Sequence, residues 1–491
     1  MDNGTLLAAV DLGSNSFRLE IGRLDHGQIQ RVEYLKETVR QGAGLDEARN
    51  LTPEAMERGL DCLARFAERL AGFKRRQVRA VATQTLREAR NREEFIARAH
   101  QVLGFPIDVI PGREEARLIY QGVAHLLPQS DERRLVVDIG GRSTEVILGR
   151  QFEALETESY RVGSVAWSMR HFPQGEFTAA AFERAEVAAQ AILDEAAGRY
   201  APGSWDVAYG SSGTLGAIGD VLAAAGWEGI SREGLGWLKE QLLAARQADR
   251  VRLDGLKDDR RPVIGGGLSV TLAVFDVLGI DHMQPAAGAL RHGVLYDLLD
   301  REHGDVRSTT VQRLAARFAV DPAQARRVGD TAATLLRLLM AGHRDTGQLQ
   351  KQERKLRWAA MLHEIGSAIS HSDYHKHGAY VLDNADAPGF DQAELHRLGM
   401  LVLGHRGKLR KLEAQLDDES FVQQLLCLRL AVILCHARRD PDLAGLTLRA
   451  QGRSFVVSVR PDWPAAYPQS AHLLREEVLA WQKTGWGLAL S

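Results

Sequence analysis

Two short stretches of the chain carry the same residue types in the same order. AAVDLGSNSFRLEIG spans residues 8–22 and LVVDIGGRSTEVILG spans 135–149. Asp11, Gly13, Ser16 and Gly22 in the first correspond to Asp138, Gly140, Ser143 and Gly149 in the second, each displaced by 127 (138 − 11). An aspartate at the carboxyl end of a buried strand, followed by glycine and serine in a turn, has a defined chemical use. Glycine lets the backbone bend and approach a ligand, so that consecutive N–H groups point at an anion. The carboxylate beside them can hold a divalent cation, usually Mg²⁺. One such turn is common for conformational reasons alone. Two with matching flanks, opposed across a cleft, would grip a phosphate chain from both sides. The candidate phosphate-binding residues are Gly13, Ser14, Asn15 and Ser16 in the first turn and Gly140, Gly141, Arg142 and Ser143 in the second. A third turn, Gly210, Ser211, Ser212, Gly213 and Thr214, follows a short strand and opens a helix, where backbone amides bind anions. Its plainer use is a helix cap; beside the other two turns, anion binding is the expectation.

These turns need strands to carry them. LLAAVDLG and FRLEIGRL read as strands, with Gly27 in the turn before IQRVEYLKETV. TPEAMERGLDCLARFAERL reads as a helix capped by Thr52 with Pro53 in its first turn. VRAVAT is a strand, NREEFIARAHQVL a helix with Asn91 and Glu94 spaced as a capping box, and IDVIPG a further strand. A second round starting at RRLVVDIG argues for two related α/β lobes. After about residue 305 the patterns are helical with little strand between them, until LTLRAQGRSFVVSVRP alternates like a hairpin. The expected division is lobe I at 1–126, lobe II at 127–305, a helical domain at 306–440 and a small mixed appendage at 441–491.

Bulk properties narrow the class. The chain has 491 residues, too many for a single core. A net charge of −2 leaves no global field, so a polyanion must meet a local basic surface. The three cysteines, Cys62, Cys427 and Cys435, have neither CxxC spacing nor an even number, which fits a reducing cytoplasm. The first residues, MDNGTLLAAVD, carry an acid where a signal peptide needs positive charge, and no apolar run approaches the ~20 residues of a membrane span. A cytoplasmic protein without a membrane span is expected.

The segments AAVDLGSNSFRL, VATQTLREA, IPGREEARLIYQGVAH, LVVDIGGRSTEVILG, GSSGT and GALRHGVLYDLL resemble the exopolyphosphatase and guanosine pentaphosphate phosphohydrolase (Ppx/GppA) family. The resemblance covers nearly the whole chain, including RWAAMLHEIG and HGAYVLDNADAPGF. It implies an α/β fold of two actin-like (ribonuclease H-like) ATPase-superfamily lobes, followed by an all-helical HD-like domain and the small mixed appendage.

The resemblance also implies roles. Glu114 and Glu115 are adjacent acids at a helix start, where acids commonly complement the helix dipole; the family match makes Glu115 the group that orients and deprotonates the attacking water. Asp138, Glu145 and Asp11 would hold Mg²⁺ against the phosphates. Arg87 and Arg291 match positions whose guanidinium neutralises the transferring group, the alternative for each being a structural ion pair. Two departures stand out: Arg142 where the family has a small residue, often glycine, and His292 where it has glutamate. Arg142 would add positive charge beside the phosphates or lie on the surface.

The implied activity is Mg²⁺-dependent release of orthophosphate from the ends of inorganic polyphosphate. The alternative is hydrolysis of guanosine pentaphosphate (pppGpp) to the tetraphosphate. Less expected are a sugar- or acetate-type kinase, since AAGALRHG lacks a glycine-rich adenosine signature, and an actin-like binding protein. No nucleic acid polymer is expected as partner; a homodimer is. In the helical domain His363, His371, His375 and His405 read as remnants of an HD-type centre, and Lys408, Arg410 and Lys411 as a track for polyphosphate.

Overall fold

The repeated sequence is a repeated hairpin. In the computed structural model, which describes residues 1–128, 130–303, 306–341, 346–385, 387 and 389–491, β1 (Leu6–Leu12) pairs antiparallel with β2 (Phe17–Asp25), and β6 (Arg133–Ile139) pairs antiparallel with β7 (Thr144–Arg150). The turns Gly13–Ser16 and Gly140–Ser143 close them. β1 and β6 are buried along all but their first residue, as continuous apolar runs in a covered sheet must be.

Each hairpin seeds a sheet of the same order. Lobe I adds β3 (Gln28–Glu37), β4 (Val78–Ala82) and β5 (Ile107–Val109) in the order β3-β2-β1-β4-β5. Lobe II adds β8 (Glu153–Tyr160), β9 (Val207–Ser211), β10 (Ile230–Ser231) and β11 (His282–Pro285) in the order β10-β11-β9-β6-β7-β8. β4 runs parallel to β1 and β9 parallel to β6, so the two aspartates end equivalent central strands. This is the doubled α/β architecture of the actin-like fold.

Both lobes belong to one compact unit, Met1–Asp305. Leu7, Ala9, Val136 and Ile147 join the helices Gly112–Ala124 and Leu290–His303 in a core shared between the two sheets. A Cβ on Gly293 would lie 1.7 Å from the Leu118 carbonyl oxygen, and one on Gly122 would lie 2.3 Å from that of Ala289. Only glycine permits this backbone-to-backbone crossing. The last helix of the lobe II segment thus returns to pack on lobe I.

Three local expectations change. Asn91 does not cap its helix; its amide exchanges two hydrogen bonds with the Leu51 backbone, at 2.8 and 3.0 Å. The helical stretch Asp258–Leu278 does reach the length and hydropathy of a membrane span, but most of its apolar window is buried inside the protein, and Ile264, Leu268, Val270 and Phe275 belong to the lobe II core. The terminal strands β12 (Thr447–Gln451), β13 (Ser454–Ser458) and β14 (Gly487–Leu490) do not form a separate appendage: Leu448, Phe455, Trp481 and Trp486 share one core with the helices of the second unit, Val306–Ser491.

Candidate active site

The two turns meet. A Cβ placed on Gly141 would lie 3.1 Å from Ser14 Cβ and 3.7 Å from the Asn15 nitrogen, so glycine at 141 is what lets the turns approach. Between the lobes lies a cleft of about 390 Å³. It is lined by Asp11 and Gly13–Ser16 from one hairpin, Asp138, Gly140, Gly141 and Ser143 from the other, and Ser212, Gly213 and Thr214 at the third turn.

The hairpins match in register and differ in charge. Asp11 stands opposite Arg18, and Asp138 opposite Glu145; positions 18 and 145 carry the same displacement of 127 (145 − 18). Arg18 Nη1 donates to Asp11 Oδ2 at 3.1 Å. Among the described residues Asp138 has no such cationic partner: the Ser211 hydroxyl stands 2.7 Å from its Oδ2 and 2.8 Å from the Gly288 carbonyl oxygen. Burial pushes the Asp138 carboxyl up to about 6, against the Ser211 hydrogen bond. Glu145, which accepts from Ser159 Oγ at 2.7 Å, is raised well above its ordinary range by burial and by Glu115 and Asp138. Like charges directly opposite on paired strands repel.

Glu115 and Glu114 separate cleanly. Both open the helix Gly112–Ala124, but residues one apart on a helix point about 100° from each other. Glu114 turns inward: Arg117 donates two bonds to it at 2.8 Å, and Arg117 and Arg79 both bond Asp297, at 2.6 and 2.5 Å. This buried set of charges is structural. Glu115 instead reaches the cleft, accepts from Arg87 Nη1 at 2.8 Å, and has its carboxyl raised by burial in spite of Arg87. A buried carboxylate with raised proton affinity, aimed into a phosphate cleft, is placed for general-base work.

Arg87 stands behind Glu115 and holds it, without lining the cleft itself. Arg291 lines the cleft; its Nε donates to Glu20 Oε2 at 2.5 Å and its guanidinium lies 4.9 Å from the Tyr34 ring centroid. His292 sits 3.2 Å from the other Glu20 oxygen, so the departure at 292 places both side chains on one carboxylate. Burial raises the Glu20 carboxyl, but His292 and Arg291 outweigh it and hold it at about 2.

Arg142 corrects the sequence reading. Its side chain neither lines the cleft nor lies free on the surface: Nη2 and Nε donate to Glu88 Oε2 at 2.6 and 3.2 Å, and Nη1 donates to the Gly42 carbonyl at 3.0 Å. In the third turn Gly210 and Ser211 also sit behind the cleft. A Cβ on Gly210 would meet Met283 Sδ at 2.7 Å, and Ser212 Oγ accepts from the Thr214 and Leu215 amides, which makes Ser212 a cap as well as a lining residue.

The sequence reading missed most of the cleft's positive charge. Besides Arg291, Arg18, Lys36, Lys257 and Arg260 line it. Burial, with Arg260 beside it, lowers the Lys36 ammonium, and burial also lowers the Arg260 guanidinium. Cations crowded this way stabilise a bound polyanion. The signals were weak because Lys36 sits on the outer strand β3 and Arg260 in the 3₁₀ turn Asp258–Val263.

The donor set fits Mg²⁺ chemically. Asp138, Glu145 and Asp11 are hard oxygen donors of the kind it takes, with Asp138 lining the cleft, Glu145 opposite it on the paired strand but not lining the cleft, and Asp11 already held by Arg18. Among the described residues no three His, Cys, Asp or Glu side chains form a ready metal group. Mg²⁺ characteristically uses one or two carboxylates and completes its shell with water and substrate phosphate.

In the second unit His363 and His405 are buried with ring centroids 5.3 Å apart, and each Nδ1 donates to a backbone carbonyl at 2.6 Å. Lys408, Arg410 and Lys411 are exposed on that unit, Lys411 donating to His375 Nε2 at 2.9 Å.

Fold and cleft together define an actin-like, two-lobed protein with a cation-lined cleft between its lobes. A family model described as the Ppx/GppA phosphatase family matches residues 21–302, and one described as Ppx/GppA phosphatase, domain III, matches residues 306–479. A Vibrio cholerae protein named guanosine-5'-triphosphate,3'-diphosphate pyrophosphatase is 40% identical, with 99% of this chain and 98% of that protein covered. A protein of the same name from Photobacterium profundum is 39% identical over 99% of this chain and 98% of its own. The solved structure of the Aquifex aeolicus Ppx/GppA family member superposes with a TM-score of 0.52 at 24% identity, covering 61% of this chain and 99% of that one. The chain belongs to the Ppx/GppA phosphatase family, and its chemistry is that of a phosphoanhydride hydrolase.

Proposed function

We propose that the chain removes the terminal 5'-phosphate of guanosine-5'-triphosphate,3'-diphosphate, releasing orthophosphate and leaving the tetraphosphate. This reverses the substrate order expected from the sequence. Its support is the near-complete alignment, at about two residues in five, with relatives named for that substrate.

The single observation that carries the hydrolytic chemistry is Glu115: a buried carboxylate braced by Arg87 and exposed to the cleft where the two phosphate turns meet. Glu115 takes a proton from a water as the water oxygen bonds the terminal phosphorus. The bond from that phosphorus to the bridging oxygen breaks, and its electrons leave with the next phosphate. The turns hold the phosphoryl oxygens with backbone and hydroxyl donors, and Arg18, Arg260 and Arg291 offset the accumulating charge. Asp138 with Glu145 and Asp11 would hold Mg²⁺, which when bound supplies charge neutralisation and alignment of the phosphates.

The test is a side-by-side measurement of kcat/KM on pppGpp, tripolyphosphate and long-chain polyphosphate with Mg²⁺. Higher kcat/KM on pppGpp is expected; preference for the long polymer restores polyphosphate as the main substrate and gives the exposed Lys408, Arg410 and Lys411 a use. Glu115→Gln should lower kcat by about 10²–10⁴-fold with substrate binding retained. Near-normal turnover in that variant refutes the base assignment.

A further inference from the structure

The side chain that the sequence assigned to phosphate contact, Arg142, begins a continuous series of hydrogen bonds between the lobes. Arg142 belongs to the second phosphate turn in lobe II, and its guanidinium is divided between Glu88 and the Gly42 carbonyl, both in lobe I. The other Glu88 oxygen, Oε1, accepts from Gln84 Nε2 at 2.6 Å. Gln84 Oε1 in turn accepts from Arg87 Nε at 3.0 Å and Nη2 at 2.7 Å. The remaining Arg87 nitrogen, Nη1, donates to Glu115 Oε2 and to the Ile110 carbonyl, both at 2.8 Å. Gln84, Arg87 and Glu88 all sit on one short helix, Gln84–Glu88.

The middle link is directional. Gln84 presents its NH₂ to a carboxylate and its oxygen to a guanidinium. Turned end for end, its NH₂ would face Arg87 and its oxygen Glu88, two contacts of the wrong sign. Glu88 therefore fixes the sense of the Gln84 amide, and the amide fixes two of the three Arg87 nitrogens. Burial pulls the Glu88 carboxyl upward, but the bonds and charge from Gln84 and Arg142 outweigh it and keep it below its usual range. It acts here as an anion.

We propose that Glu88 and Arg142 are positioning residues that tie the second phosphate turn to Glu115, so that the water-activating carboxylate is held in place only while the two lobes are together. The inference rests on the reading of Glu115 as the base. With the lobes apart, Arg142 leaves Glu88, the Glu88 carboxylate is no longer held against Gln84, and through the Gln84 amide the hold of Arg87 on Glu115 slackens. Hydrolysis is then confined to a cleft that has closed on its phosphates.

The test uses the full-length enzyme, Mg²⁺ and pppGpp, with kcat, KM and the pH dependence of kcat measured for Glu88→Ala, Arg142→Gln, the double variant and Arg142→Lys, and with Glu115→Gln alongside. Each single variant should lose about 10- to 100-fold in kcat, the effect of ~1 Å of misplacement, with KM changed less than about threefold. The acid limb of kcat should move to higher pH, since Arg87 lowers the Glu115 proton affinity. The double variant should lose no more than the worse single, because both act through one path. Arg142→Lys, which keeps the charge but not the fork, should fall between wild type and Arg142→Gln, and it decides the matter if the other variants do not fold.

Unchanged kcat in the single variants, losses that multiply in the double variant, or a change confined to KM would each overturn the inference. If Glu115→Gln is inactive while the Glu88 and Arg142 variants match wild type, only this inference fails. If Glu115→Gln turns over normally, the base assignment fails first.

Discussion

Asp138 should be worth more to the fold as an amide than as an acid. Burial lifts its carboxyl from 3.8 to about 6. At ~1.4 kcal/mol for each tenfold change in proton affinity, keeping it ionised in the folded lobe at pH 7 costs on the order of 3 kcal/mol. Asp138→Asn removes the charge, and its amide oxygen can still accept from Ser211. The sign follows from the direction of the shift. The folded lobe binds this proton more tightly than the unfolded chain, so wild-type stability falls as pH rises from about 4 through about 6, and is level above. The advantage of Asp138→Asn should be near zero at pH 4 and on the order of 3 kcal/mol at pH 7. Because the chain has two units, the measurement must be local. Hydrogen exchange of the β6 amides, in chelator, at both pH values reads the opening free energy of this lobe. Mg²⁺ should then protect wild type and leave Asp138→Asn little changed. Equal or lower protection in the variant at pH 7, or a gain of the same size at both pH values, refutes the account of Asp138 as a strained, metal-seeking anion.

Two other substitutions separate structure from chemistry. Glu114→Ala removes the carboxylate that Arg117 grips with two bonds, leaving Asp297 to serve both Arg79 and Arg117 beside the longer contacts to Asp108 and Gln121, and should destabilise lobe I by about 3–5 kcal/mol in urea unfolding; a loss below 1 kcal/mol would show that the buried set is relaxed. Arg260→Gln removes a charged donor from the cleft wall and should raise KM for pppGpp about tenfold, in line with the ~1.5 kcal/mol of a charge-assisted hydrogen bond. An unchanged KM would remove Arg260 from substrate binding.

What the sequence disclosed followed chain continuity. Each phosphate turn lies within one stretch of fifteen residues, so its aspartate, glycines and serine were visible together, and the constant displacement marked two copies of one unit. Contacts between distant segments were not visible. Residue type and spacing do not separate Glu114 from Glu115; the family resemblance picked Glu115, and the contacts of Glu114 with Arg117 and, beyond it, Asp297, far away along the chain, show why Glu114 faces inward. Arg142, counted with the phosphate turn, read as facing either the phosphates or solvent; its side chain does neither and leaves the turn for Glu88, 54 residues earlier. Lys36 and Arg260 came from an outer strand and a 3₁₀ turn with no motif around them. Asn91 had cap spacing, and a pair of bonds to the Leu51 backbone took it instead.

Duplication usually yields two equal halves, and here one cross-strand position breaks the equality: Arg18 in one hairpin, Glu145 in the other. Equal jaws would grasp a row of phosphates identically from either end. A neutral Asp11–Arg18 pair on one jaw and the two carboxylates of Asp138 and Glu145 on the other make the two sides of the cleft chemically unequal, so a row of phosphates lying between them would meet a different field on each side.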